Sequence, residues 1–178
     1  VERGSRLYLL IAIAAVALAA HARVFMTQQQ ALASAFPAGT KIERQTHFLT
    51  PQQIASAKRE SGVAFSDRMI VRYAGMAGGT VAGYAYFDTH RVRTVAETVM
   101  IVLSADGKIQ KIDILSFDEP PEYLPKLRWL DQFRGRKLDD ELSLERSIRP
   151  ISGASLSGRA ILNASRKILA LHRAIGGK

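Results

Sequence analysis

The sequence predicts an α+β fold: a small, mostly antiparallel sheet flanked by helices, with an N-terminal single transmembrane helix. Three observations carry this prediction. Residues 7–20 form an unbroken apolar run. Apolar segments between residues 69 and 117 are separated by a glycine-rich turn and an Asp-Gly turn, which read as hairpins. Near the C-terminus, Ile161, Ala164, Ile168 and Leu171 recur at spacings of three and four, the signature of a helix with one buried stripe.

The bulk composition agrees. A chain of 178 residues has room for one ordinary domain and an appendage. With 47% hydrophobic and 23% charged residues, a buried core is expected. The net charge of +9 suits an anionic lipid surface or an acidic redox partner. Aromatics make up only 7%, and no Lys/Arg run is interleaved with them, so no nucleic-acid partner is expected. Cysteine is absent, which excludes disulfides, thiol nucleophiles, Cys-ligated zinc and iron–sulfur ligation. The four histidines show no helical i, i+4 pair, so no metal site is expected.

At the N-terminus, Arg3 and Arg6 precede the apolar run. As a helix, residues 7–20 span about 21 Å, short of the roughly 30 Å hydrocarbon core. Two readings fit. A cleaved secretory signal would use Ala20-His21-Ala22 as its small-x-small site. A signal anchor would extend through Val24-Phe25-Met26, with His21 and Arg23 snorkelling at the membrane edge. The absence of any polar face argues against a soluble core helix; of the two membrane readings the anchor is favoured, with Arg3 and Arg6 cytoplasmic and the rest exported. The expected organisation is a transmembrane signal anchor over residues 1–26, a stalk or linker over 27–39, and the main domain over 40–178. Residues 7–26 would lie in a bacterial inner membrane as a single pass, with the C-terminal domain in the periplasm or outside the cell.

Thr27 to Phe36 reads as a continuation of the membrane helix that Pro37-Ala38-Gly39 stops, and Lys41–Phe48 as a short strand. Thr50-Pro51-Gln52-Gln53 is a capping box with proline in the first turn, opening a helix that Ser61-Gly62 closes. Strands over 69–73 and 80–87 flank a turn at 74–79. Strands over 95–104 and 108–117 flank Ala105-Asp106-Gly107. An acidic, proline-stiffened loop follows, Asp118 to Tyr123. Residues 124–133 then read as a short helix with Leu127, Leu130 and Phe133 on one side and the only tryptophan, Trp129, within it. From Arg146 onward there is no acidic residue.

Within that tail lies Ile151-Ser152-Gly153-Ala154-Ser155-Leu156-Ser157-Gly158, just ahead of the helical stripe. Three readings compete. Ser155 as a nucleophile in a Gly-x-Ser-x-Gly elbow fails on Ser157 in the last place and on the lack of any downstream acid. A plain N-cap would have Ser152 or Ser155 bond first-turn amides, worth about 1 kcal/mol. An anion site would use small residues, free helix amides, the dipole and nearby arginines to hold a phosphate.

The segment Ile151-Ser152-Gly153-Ala154-Ser155-Leu156-Ser157 resembles the Ser-Gly-Ala-Thr-x-Ser motif of the exported FMN-binding domain family. That family includes the covalent-FMN subunits of the Rnf complex and of the sodium-pumping NADH:quinone reductase. Leu49-Thr50-Pro51-Gln52-Gln53, Val81-Ala82-Gly83-Tyr84-Ala85, the Asp-Gly hairpin and Arg128-Trp129-Leu130-Asp131-Gln132-Phe133-Arg134-Gly135 fall in the family's order. The resemblance implies FMN joined by a flavin transferase, through its phosphate, to the hydroxyl of Ser155. It implies that Ser152, Gly153, Ala154, Leu156 and Ser157 surround the phosphate, and that Glu119, Tyr123 and Trp129 lie near the flavin. It further implies an electron carrier among the subunits of a membrane electron-transfer complex rather than an independent enzyme. The chain departs from the pattern at Ser155, where threonine is usual, and at Arg149, where the family commonly has aspartate. A flavin-free accessory subunit that keeps the fold as a scaffold is the alternative.

Overall fold

The computed structural model describes residues 23–177. The apolar run over residues 7–20 lies outside them. Among the described residues no helix is long and apolar enough to cross a membrane.

The domain is α+β, built on one six-stranded sheet in which every neighbouring pair is antiparallel. The strands are β1 (Arg23–Val24), β2 (Lys41–Phe48), β3 (Met69–Ala77), β4 (Thr80–Val92), β5 (Val95–Ser104) and β6 (Ile109–Phe117). Their spatial order is β1-β6-β5-β4-β3-β2, so β2 to β6 form a simple meander and β1 returns to the far edge. The helices are α1 (Gln28–Ala35), α2 (Pro51–Ser61), α3 (Leu127–Leu130) and α4 (Ser155–Ala174).

The N-terminal part differs from the sequence reading. Arg23–Val24 pairs with Phe117 and Ser116, and the Phe25 amide donates to the Leu115 carbonyl at 2.8 Å. Residues 23–25 thus lie on the sheet edge, where an extended chain satisfies the ladder of β6. The stretch expected as a stalk is a separate helix, α1. Thr27 starts it with a reciprocal capping box to Gln30. Ala31, Ala35 and Phe36 then bury against Ala85, Met100, Val102 and Leu115 on one face of the sheet.

The opposite face carries the larger core. Tyr86, Val99, Ile101, Leu103, Ile109 and Ile112 meet α4 through Ile161, Ala164, Ile168 and Leu171, the stripe expected from the spacing. Helix α2 begins at its Thr50–Gln53 capping box and ends at Gly62, whose left-handed φ of 68° lets its amide reach the Lys58 carbonyl. Two arginines of the acid-free tail tie loops to this layer. Arg166 donates to the carbonyls of Ser61, Asp139 and Leu142, and Arg173 to that of Leu138.

Two hairpins are longer than their turn residues suggested. Only Gly78-Gly79 turns between β3 and β4, both at positive φ. Gly75, expected in the turn, lies inside β3, where a Cβ would stand 2.7 Å from the Phe36 ring; Gly83 lies inside β4 as expected, where a Cβ would stand 2.4 Å from the Leu103 carbonyl oxygen. β4 also runs past Phe87 to Val92, because His90, Arg91 and Val92 pair with Glu97, Ala96 and Val95. The expected helix over 124–133 is split into α3 and a 3-10 turn at Asp131–Phe133. Leu130 and Phe133 bury, but Leu127 opens the helix at 76% exposed.

Candidate functional site

Ser155 is the first residue of α4. Ahead of it, Gly153 sits at φ 80°, a left-handed turn that glycine adopts freely, and Ala154 is the N-cap. No side chain caps the helix. Neither Ser152 nor Ser155 bonds the first-turn amides, so the N-cap reading of these serines is not what the structure shows. The amides that open α4 lack intrahelical partners, and the dipole adds positive potential there. Ser155 and Leu156 are exposed while Ala154, Ser157 and Gly158 are buried.

The loop is held from beneath. Trp129 is buried, its indole N–H donates to the Arg149 carbonyl at 2.6 Å, and its ring lies under Gly158. The Arg149 amide in turn donates to Gln132 Oε1 at 2.9 Å. Residue 149 is therefore fixed through its backbone, with its side chain exposed.

Glu119 and Tyr123 meet the serine loop. Together with Val92, Arg93 and residues 153–157 they line a narrow gap of about 20 Å³. Ser152 and Trp129 do not line it: Ser152 is on the outer surface and Trp129 lies below.

Arg93 was not singled out from the sequence. It lies in the two-residue connection between β4 and β5, at φ 55°, among described residues the only non-glycine with positive φ. Such a backbone costs an arginine about 1 kcal/mol. Its guanidinium approaches Glu119 at 3.7 Å and lies over the Tyr123 ring at 5.3 Å. A strained, half-exposed cation thus stands over the start of α4.

Beside the gap, sharing Val92, Arg93 and Leu156 with it, opens a cleft of about 330 Å³ between β4, α4 and the segment after α2. That is within the usual size of small-molecule sites. Its walls include Val63, Phe65, Leu156 and Ala160; Arg91 and Arg159 are on the rim, and Asp88, His90 and Lys167 are also part of it. Of the basic tail, then, Arg159 and Lys167 serve this cleft, whereas Arg166 and Arg173 bond loop carbonyls elsewhere.

The polar groups of the cleft form one cluster. His90 Nδ1 is 2.9 Å from Asp88 Oδ2, and its Nε2 is 3.1 Å from Glu97 Oε2. Lys167 bonds the other oxygen of Asp88 and is 3.6 Å from Asp67. Burial works against charge on His90, but the hydrogen bonds and charges of Asp88 and Glu97 outweigh it and push its pKa up to about 9. Asp88 is likewise buried, yet His90 and Lys167 hold its carboxyl below the ordinary range. These residues had one signal in the sequence. Asp88 and His90 continue the period-two face of Tyr84 and Tyr86, which puts charge where a strand should bury apolar groups.

Among the described residues no cluster of His, Asp and Glu could hold a metal ion. Compared with known families, residues 96–170, from β5 into α4, match the FMN-binding domain. No curated protein matches the chain.

Proposed function

From the match of residues 96–170 to the FMN-binding domain, we propose that FMN is carried on Ser155, with its phosphate at the start of α4 and its ring in the adjoining cleft. One observation carries the reading: an exposed hydroxyl at the first residue of a helix no side chain caps, opening beside a cleft of about 330 Å³. The residues fit the cofactor. The phosphodiester would bear one negative charge, which the helix dipole stabilises by about 0.3–1 kcal/mol, and Arg93 stands close enough to add to that potential. Val63, Phe65 and Leu156 offer the ring apolar contact.

When bound, FMN supplies electron transfer at its ring. The protein's part is to place and retain it. Ser155 Oγ would lose its proton and bond the flavin phosphorus as a phosphoanhydride P–O bond of an activated FMN donor breaks and the phosphate-bearing leaving group departs, a reaction assigned to a flavin transferase. Trp129 and Gly158 hold the loop so that the hydroxyl faces outward. We further propose that the domain relays electrons among subunits of a membrane complex, tethered to the bacterial inner membrane through the apolar run over residues 7–20, with the domain itself in the periplasm or outside the cell. A flavin-free scaffold is the other reading; the open cleft beside Ser155 favours the flavin.

The test is intact mass and in-gel flavin fluorescence of the full chain co-expressed with a flavin transferase. Wild type and Ser155→Thr should each gain the mass of FMN less one water, and Ser155→Ala should not. An unmodified wild type refutes the covalent reading, and a flavin retained on Ser155→Ala moves the attachment to another residue.

A further inference from the structure

The ionic cluster in the cleft does more than a structural ion pair requires. A carboxylate only accepts hydrogen bonds, so an imidazole bonded through both nitrogens to two carboxylates donates from both and carries a positive charge. Asp88 and Glu97 are 5% and 1% exposed, and Glu97 Oε1 has no partner at all. Burying two carboxylates, with His90 and Lys167 half-buried against them, is a costly way to stabilise a fold. Where such a patch lines a ligand cleft, it is a candidate for acting on the ligand.

We propose that the Asp88–His90–Glu97–Lys167 cluster biases the cleft toward the reduced, singly negative form of a bound flavin ring over the neutral oxidised form, with His90 as the titrating cation. The proposal rests on the flavin reading above. Two electrons from an external reductant and one proton from water leave the reduced ring with one negative charge. His90 gives up no proton in this step; it acts as a fixed charge and is a positioning residue.

The groups facing His90 define the sign. Asp88 shares its strand, Glu97 comes from β5, and Lys167 and Arg159 come from α4. Arg91 and Arg93 flank the same cleft, and Asp67 reaches Lys167. Glu119 pairs with Arg93, so with His90 charged the five cations His90, Lys167, Arg159, Arg91 and Arg93 face the four anions Asp88, Glu97, Asp67 and Glu119, an excess of one that His90 supplies. The raised pKa keeps His90 charged through neutral pH and lets it discharge near pH 9. Above that, Asp88 and Glu97 remain as anions without their imidazolium, and the reduced ring loses its stabilisation. Linkage is reciprocal: a tenfold preference for the reduced ring requires reduction to raise the His90 pKa by one unit.

The experiment uses the flavin-loaded full chain, titrated with dithionite from pH 6 to 10. In wild type, proton uptake per two electrons should rise from one to about one and a half near pH ~9.5, midway between the oxidised and reduced His90 pKa values, and fall back above that. His90→Gln should lower the reduced-to-oxidised ratio about tenfold at pH 7, about 30 mV for a two-electron couple. The same variant should also abolish the extra proton uptake. Side-chain NMR of His90 should show its titration moving up by about one pH unit on reduction. An unchanged ratio in His90→Gln, or a His90 titration blind to the redox state, overturns the proposal while leaving the flavin reading intact. A wild type that neither carries flavin nor binds added FMN, seen by fluorescence beforehand, overturns both. If His90→Gln fails to melt cooperatively, the wild-type proton uptake and NMR titration decide alone.

Discussion

Acid should weaken this domain through one buried histidine. His172 is wholly buried on α4, with its Nδ1 2.6 Å from the Tyr86 hydroxyl and the Tyr84 ring tilted against it. Its Nε2 has no partner, and Gly177 closes over it so tightly that a Cβ there would stand 2.2 Å away. Burial first, then the charges of Arg72 and Arg173, push its pKa down to about 4 from an ordinary 6.5. As pH falls, the unfolded chain takes the proton first. The contribution of a neutral His172 is thus intact above pH 6.5 and declines from there to pH 4. At ~1.4 kcal/mol per pH unit, that window costs about 3 kcal/mol. With a urea dependence of about 2 kcal/mol per molar, the midpoint should drop by roughly 1.5 M. His90 adds nothing here, because it is charged in both states below pH 6.5. Urea unfolding followed by circular dichroism from pH 7 to 4 measures the effect. His172→Gln, which keeps an acceptor for Tyr86, should start lower and lose this part of the slope. Parallel pH profiles for wild type and His172→Gln would refute the reasoning.

The opposite limb belongs to His90: its raised pKa gives stability that is full below about pH 6.5 and lost as pH rises through about 9, so His90→Gln should flatten alkaline unfolding curves. Gly83→Ala should cost about 1–3 kcal/mol in urea titrations, because its Cβ would meet the Leu103 carbonyl at 2.4 Å and both partners are backbone. Trp129→Phe removes the indole bond to the Arg149 carbonyl and should cost about 1–2 kcal/mol, read by thermal melting. Arg93→Gly relieves a positive φ and should leave stability unchanged or raised by up to about 1 kcal/mol, while flavin loading falls.

The meander was legible because its signals are local. Thr50 and Gln53 announce a helix by pairing with each other, and Asp106-Gly107 a turn by its own backbone needs. The stripe on α4 was legible for the same reason, since a 3.6-residue period needs no knowledge of the partner. Gly75 misled because its cause lies far off in sequence, in the Phe36 ring. The polar run from Asp88 to Thr94 looked like a loop, although pairing with β5 makes most of it strand. That same blind spot hid Arg93 and His90. Their chemistry depends on Glu119 and Glu97, neighbours that only the folded sheet supplies. The serine loop, by contrast, stood out from composition alone. Glu119 and Tyr123 were assigned to the flavin by resemblance alone, and in the fold they line the gap next to the loop. Trp129 lies under it as a support.

The order of the strands has a consequence in time. From β2 to β6 each strand pairs with the next in sequence, so the sheet can zip together through short loop closures. Helix α4 follows every other described element in sequence, and it must return across the face of β4 and settle against α2 before Ser155 sits at a helix start. During synthesis, the hydroxyl would therefore be shown to the outside in its final setting only when everything before it is in place. An enzyme that recognised this setting, instead of the bare sequence, would modify finished domains and pass over stalled ones. Attachment would then double as a date stamp on completed folding.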